Sequence, residues 1–194
     1  IKKLTPNAVK VTLRILLVAF LLVPFSYAIA QTDCPDAIIV CGNANYTGLN
    51  ATGIGVQEID FNNACSSQEH NSLWLKILIK DGGTLGFILT PESDNLVVDF
   101  DFWIYGPNAT CGALGTAIRC STTNPGAAGL TFNDTGMNGT ETEVSEGPGP
   151  DGNAYIRWMD VNDDDIYYLV IDRPHGEANF SIEWTGTATF HSIP

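Results

Sequence analysis

The chain has 194 residues, with 22 Asp and Glu against nine Lys and Arg, a net charge of −13. All 22 acids fall within 31–194, where only five basic residues oppose them and the net charge reaches −17. A surface this acidic repels phosphate backbones and excludes nucleic acid as a partner, while it suits divalent cations and basic ligands.

The first element is not part of a fold. Lys2, Lys3, Lys10 and Arg14 precede an apolar run at 15–23, Pro24 breaks the run, and Ala28-Ile29-Ala30 has the small-x-small form of a cleavage site. Residues 1–30 therefore read as a secretory signal peptide. Spanning a bilayer as a helix takes roughly 20 apolar residues, more than this run supplies, so no membrane insertion is expected once the signal is removed. Residues 31–194 suit a single domain with a real core.

In that domain the apolar pattern has period two, and no stretch shows a helical period. Strands are expected at 37–41, 73–80, 84–90, 97–105, 116–121, 154–160, 166–172 and 178–187. Asp81-Gly82-Gly83 separates two of them at hairpin spacing, and Asn162-Asp163-Asp164-Asp165 reads as an acidic hairpin turn. The stretch 106–153 holds ten of the 19 glycines and reads, apart from 116–121 and 129–132, as long surface loop. About eight short strands with Gly, Pro and Asp turns make an all-β antiparallel sandwich of jelly-roll type.

The strand at 97–105 carries the candidate site. Side chains alternate between faces, so Val98, Phe100, Phe102 and Ile104 share an apolar face destined for the core. Asp99 and Asp101 share the other with Val97, Trp103 and Tyr105. Two neighbouring carboxylates on a half-apolar face are a solvated pair, an anchor for loops, or one part of a hard-cation site. Arg119 or Arg157 is available to pair with them. A calcium ion takes six to eight oxygens, so a calcium reading recruits Glu69 and Asn71, just before a strand, with Asp36 and Asp172 behind them. Trp74, Trp103, Trp158 and Trp184 lie on expected strands and read as core, with Trp74 near Phe100 and Phe102.

Other motifs point to little chemistry. The run from Asp160 to Asp165 lacks the Gly and Glu of a calcium-binding helix-loop-helix and is flanked by strands. His70, His175 and His191 belong to no metalloprotease or nucleophile-elbow pattern, so the chain is expected not to be an enzyme. Six N-x-[ST] sequons, at Asn45, Asn50, Asn108, Asn133, Asn138 and Asn179, read as a by-product of an Asn/Thr-rich surface. Of five cysteines, Cys111 and Cys120 close a short loop and are expected to pair. Cys34, Cys41 and Cys65 then supply one bridge and a spare.

Several segments in order carry a family resemblance. They are Asp33-Cys34-Pro35-Asp36-Ala37, Cys65 with Glu69-His70-Asn71-Ser72-Leu73-Trp74, Gly83-Thr84-Leu85-Gly86-Phe87, and Asp99-Phe100-Asp101-Phe102-Trp103-Ile104-Tyr105-Gly106-Pro107. Cys111 with Ile118-Arg119-Cys120-Ser121, and Tyr167-Tyr168-Leu169-Val170-Ile171-Asp172, follow. The chain resembles the N-terminal β-sandwich module of large surface proteins of gliding Bacteroidetes exported by type IX secretion. It is similar in layout to pre-peptidase C-terminal and CUB-like domains. The resemblance implies a non-catalytic secreted or cell-surface module for adhesion or for binding a glycan or protein ligand, stabilised by calcium in some relatives. It implies a Cys34–Cys65 bridge, with Cys41–Cys65 as the alternative because Cys41 is additional to the usual four. The rival functions are an accessory domain of a secreted hydrolase and a structural spacer or filament subunit.

Overall fold

In the computed structural model, which describes residues 31–192, the stretches with period-two alternation become the long strands. The expected signal peptide, 1–30, lies outside the described residues. A 3-10 turn at Cys34–Asp36 leads into β1 (Ile38–Ile39), β2 (Tyr46–Leu49), β3 (Ser72–Asp81), β4 (Gly83–Pro91), β5 (Asp99–Tyr105) and β6 (Arg119–Ser121). Then follow β7 (Thr135–Asn138), β8 (Ser145–Glu146), β9 (Tyr155–Arg157), β10 (Met159–Val161), β11 (Ile166–His175), β12 (Phe180–Gly186) and β13 (Thr189–Phe190).

These strands form two packed sheets. One runs β1-β3-β11-β5-β6-β8, with β13 also on β3; the other runs β2-β12-β4-β7-β9, with β10 on β4. The fold is the expected β-sandwich. Its long central pairs are antiparallel, while β1–β3, β6–β8 and β7–β9 are parallel, so the sheets are mixed rather than purely antiparallel. The inner faces close a core in which Phe102 meets Phe87 at 4.9 Å between ring centroids and Phe100 meets Phe180 at 5.0 Å. Both contacts cross from one sheet to the other, as the facing of β5 requires.

Asp81-Gly82-Gly83 is not a hairpin. Strands β3 and β4 belong to different sheets, so the turn is a corner from one layer to the other. The acidic turn is a second corner, from β10 to β11. The two corners stack: the Gly82 amide donates to Asp163 Oδ1 at 2.6 Å, and a Cβ at Gly82 would lie 2.7 Å from the Val161 carbonyl oxygen. Within the second corner Asp165 Oδ2 accepts from the Asn162 amide at 3.0 Å and the Tyr167 hydroxyl at 3.1 Å. The acids there form a structural turn.

The expected strand at 154–160 breaks at Trp158. Its halves pair with different partners, β9 with β7 and β10 with β4. Strands β2, β7, β8 and β13 had no alternation long enough to mark them, and 129–132 is not a strand. In β7, Gly136 packs so tightly that a Cβ would strike the Phe87 carbonyl oxygen, which is why a strand there carries a glycine.

The same four cysteines are bridged as expected, but in other pairs. Cys34 bonds Cys111 and Cys65 bonds Cys120, while Cys41 is free and exposed. The Cys111–Cys120 and Cys34–Cys65 pairings are therefore corrected. Cys120 sits on β6 beside Trp103, under the segment that carries Cys65, whereas Cys111 lies in a separate loop against the 3-10 turn. Spatial layering overrides nearness in sequence. Two disulfides belong with proteins of oxidising compartments. No helix among the described residues is long and apolar enough to cross a membrane.

Candidate functional site

The outer face of the seven-stranded sheet holds the site. On β5 it carries Asp99, Asp101, Trp103 and Tyr105. Across the ladder on β11, Asp172 stands opposite Asp101 and Val170 opposite Trp103, and on β3 Trp74 stands opposite Val170. Trp74 therefore shares the face of Trp103, not that of Phe100 and Phe102. Adjacent register partners share a face, and Phe102 is level with Ile171 and Leu73 instead.

This face is not open to water. Cys34, Ile59 and Cys65 are buried against Trp74, Trp103, Tyr105, Tyr168 and Val170, with Ala109, Cys111, Leu114 and Ala117 packed around them. A layer of loops thus covers the sheet, and every residue of β5 is buried. A strand buried on both faces explains the large apolar side chains on each side. It also places Asp99 and Asp101, at 3% and 2% exposure, under cover.

The carboxylates tie the loop layer to the sheet. Asp172 Oδ1 accepts the amides of His70 and Asn71 at 2.7 and 2.6 Å, and its Oδ2 lies 2.9 Å from His70 Nδ1. Glu69 Oε2 accepts the amides of Glu58 and Ile59 at 2.7 and 3.1 Å, and its Oε1 accepts the Trp74 indole N–H at 2.9 Å. The Glu58 carboxylate in turn accepts the Cys34 amide, and Cys34 is bridged to Cys111. Asp101 Oδ2 accepts from the Ser67 hydroxyl at 3.1 Å, and Asp99 Oδ2 from the Asn124 side-chain amide at 2.8 Å. Each acid holds one segment, and the segment carries the next anchor.

Of the six residues expected around a cation, Asp99, Asp101 and Asp172 share one patch. Glu69 is turned toward Trp74 and the 58–59 backbone. Asn71 uses its side chain to bind the Arg173 carbonyl and the Gly53 amide. Asp36 is exposed in the 3-10 turn. No group of three or more His, Cys, Asp or Glu among the described residues is gathered at metal-ligand spacing. Arg119 binds the carbonyls of Ile118, Arg157 and Trp158 rather than either acid.

Burial dominates the electrostatics of the patch. It raises the Asp101 carboxyl well above the usual range, with repulsion from Asp99 and Asp172 adding to it. It raises Asp99 to about 6, opposed by the Asn124 hydrogen bond. It also raises Asp172 and Glu69 in spite of their hydrogen bonds. Asp99 Oδ1 and Asp101 Oδ1 are buried with no hydrogen-bond partner. A carboxyl in that setting holds a proton or a cation.

Ser67, Asn124 and Glu58 escaped the sequence reading, since no local pattern ties them to Asp101, Asp99 or Cys34. Asn133, one of the six sequons, is buried and donates to the carbonyls of Ser93, Asn95 and Val98, so it has no room for a glycan.

No family model matches the chain, and no curated protein matches it. Among solved structures it is similar to CorA, a surface-associated copper-binding protein of Methylomicrobium album BG8. The identity is 11% and the TM-score 0.36, over 77% of this chain and 96% of that one. A likeness this slight transfers neither fold nor ligand.

Proposed function

We propose that this chain is a non-catalytic binding module of a secreted or outer-surface protein, of the type IX-exported kind its sequence resembles. It offers an anchored loop surface to a glycan or protein ligand. The observation that carries this reading is the relay of carboxylates and disulfides pinning the loop layer to one face of the sandwich. Asp172, Glu69 and Glu58 accept backbone amides of the loop segments, and both bridges end in the layer. A surface fixed in this way meets a ligand without first paying the entropy of ordering its loops.

The test is adsorption of the purified protein to a panel of immobilised polysaccharides and to intact bacterial cells. Saturable binding that is lost in the Cys34→Ser/Cys111→Ser variant is the expected result. Hydrolysis of a peptide or polysaccharide, abolished by Asp101→Asn, would favour the hydrolase rival. Regular polymers in electron micrographs would favour the spacer. Calcium enters the proposal only in reduced form, at Asp99 and Asp101, whose unbonded oxygens call for a cation or a proton. Calorimetric unfolding in millimolar calcium and in chelator separates the two. A cation site gives a higher midpoint in calcium, lost in Asp99→Asn/Asp101→Asn; a protonated pair gives one midpoint in both buffers.

A further inference from the structure

A cavity of about 190 Å3 opens in the loop layer above the outer face. Glu58, Asp60, Asn62 and Asn63 line one side, Thr116 lies on the other, and Tyr105 reaches it from β5. Both sides are tied down. The Glu58 carboxylate accepts the Cys34 amide at 3.0 and 3.2 Å, and Cys34 is bridged to Cys111, just ahead of the Thr116 side. Asn63 Oδ1 accepts the Cys65 amide at 2.9 Å and the Trp103 indole at 3.2 Å, and Cys65 is bridged to Cys120, just beyond that same side.

Tyr105 is the exceptional member. It is 4% exposed, and its ring is stacked on Trp74. Buried tyrosine hydroxyls ordinarily find a partner; the Tyr167 hydroxyl, for example, donates to Asp165. The Tyr105 hydroxyl makes no hydrogen bond with any described residue. It is the ring that is buried: the hydroxyl stays open to the cavity, where a donor group of a ligand can reach it.

The charge of the lining says which ligand. Two carboxylates, Glu58 and Asp60, face the cavity, and no basic side chain lines it. Burial pushes the Glu58 carboxyl up to about 7, against the Cys34 hydrogen bond, and repulsion from the nearby Glu69 and Asp33 adds to it. A cation relieves all of these at once, donating charge-assisted hydrogen bonds to the carboxylates and one to the tyrosine oxygen. A sugar ring finds no platform, because the Tyr105 ring is covered.

We propose that this cavity binds a compact organic cation, an ammonium or guanidinium group, held between Glu58, Asp60 and the Tyr105 hydroxyl. The inference rests on the binding-module reading and narrows its ligand to a basic one, either the side chain of a partner protein or a free amine.

The experiment is isothermal titration of the purified protein with N-acetyl-lysine amide, N-acetyl-arginine amide and putrescine. N-acetyl-norleucine amide and N-acetyl-citrulline amide serve as neutral counterparts. At least one cation is expected to bind about tenfold more tightly than its neutral counterpart. Binding of a blocked amino acid points to a partner side chain, and binding of putrescine alone to a free amine. Tyr105→Phe removes only an unbonded oxygen, so it is expected to keep the unfolding midpoint while weakening the cation several-fold. Glu58→Gln is expected to weaken it further; should that variant fail to fold after losing part of Cys34's anchor, Tyr105→Phe carries the test. Equal binding of cation and neutral counterpart, unchanged affinity in Tyr105→Phe, or no heat from any cation up to about 10 mM overturns the site. A glycan or protein bound equally by wild type and Tyr105→Phe overturns this site and leaves the binding-module reading standing.

Discussion

Asp99 and Asp101 show how cover changes what a side chain does. On an open face they would be ionised and inert; under the loop layer each has one bonded and one unbonded oxygen. Because burial raises both carboxyls in the folded state, the native protein holds protons that the unfolded chain releases near pH 4. Stability from these groups is fully present below that pH and is lost as pH rises through the folded values, about 6 for Asp99 and likewise raised for Asp101. For Asp99 alone the loss is on the order of 3 kcal/mol. Thermal unfolding from pH 4 to 8 is expected to show a falling midpoint, and Asp99→Asn a flatter profile. Asp151→Asn, at an exposed position, is expected to follow the wild type. A wild-type midpoint that rises over that interval would contradict the assignment.

At the scale of elements, β5 is the keystone of the seven-stranded sheet, paired with β11 on one side and β6 on the other. Its inner face was legible in the sequence: the alternation that put Phe100 and Phe102 in the core is the alternation observed. Phe102→Ala is expected to cost ~3–5 kcal/mol in denaturant unfolding, because it removes a fully buried ring and leaves a cavity between the sheets. The outer face was legible only as a set, since Asp99, Asp101, Trp103 and Tyr105 do share it, but nothing in β5 says that distant segments cover it. The short β7 was illegible for a related reason. Gly136 is required by its contact with the Phe87 carbonyl, and that requirement erases the alternation that marks a strand. Gly136→Ala is expected to lower stability by roughly 1–3 kcal/mol, read from the denaturation midpoint, as the β4–β7 pairing is pushed apart.

For the molecule as a whole, the two disulfides bind the loop layer to itself and to the sheet across 77 and 55 residues of chain. Peptide mapping without reductant is expected to recover Cys34 with Cys111 and Cys65 with Cys120, and a thiol reagent to label one cysteine, Cys41, in the native protein. A Cys111–Cys120 peptide would reverse the layering described above. Removing either bridge is expected to cost about 4 kcal/mol in the chain-entropy picture, with Cys65–Cys120 also releasing the segment that holds Asn63 and Ser67.

The sequence by itself determined the fold class, most of the principal strand regions, the core face of β5 and the acidity of the surface. These rest on local periodicity and composition, which a chain carries wherever it folds. Only the tertiary structure decided that Asp81-Gly82-Gly83 turns a corner between sheets, that Trp74 lies with Trp103, and that Cys34 reaches Cys111. It also decided that Glu58, Asp60, Asn63 and Tyr105 meet around one cavity. Each of these depends on which strand pairs with which and on what covers a face. Those choices are made by the total burial of the chain and by the need of buried amides and carboxyls for partners, and no short window of residues records them.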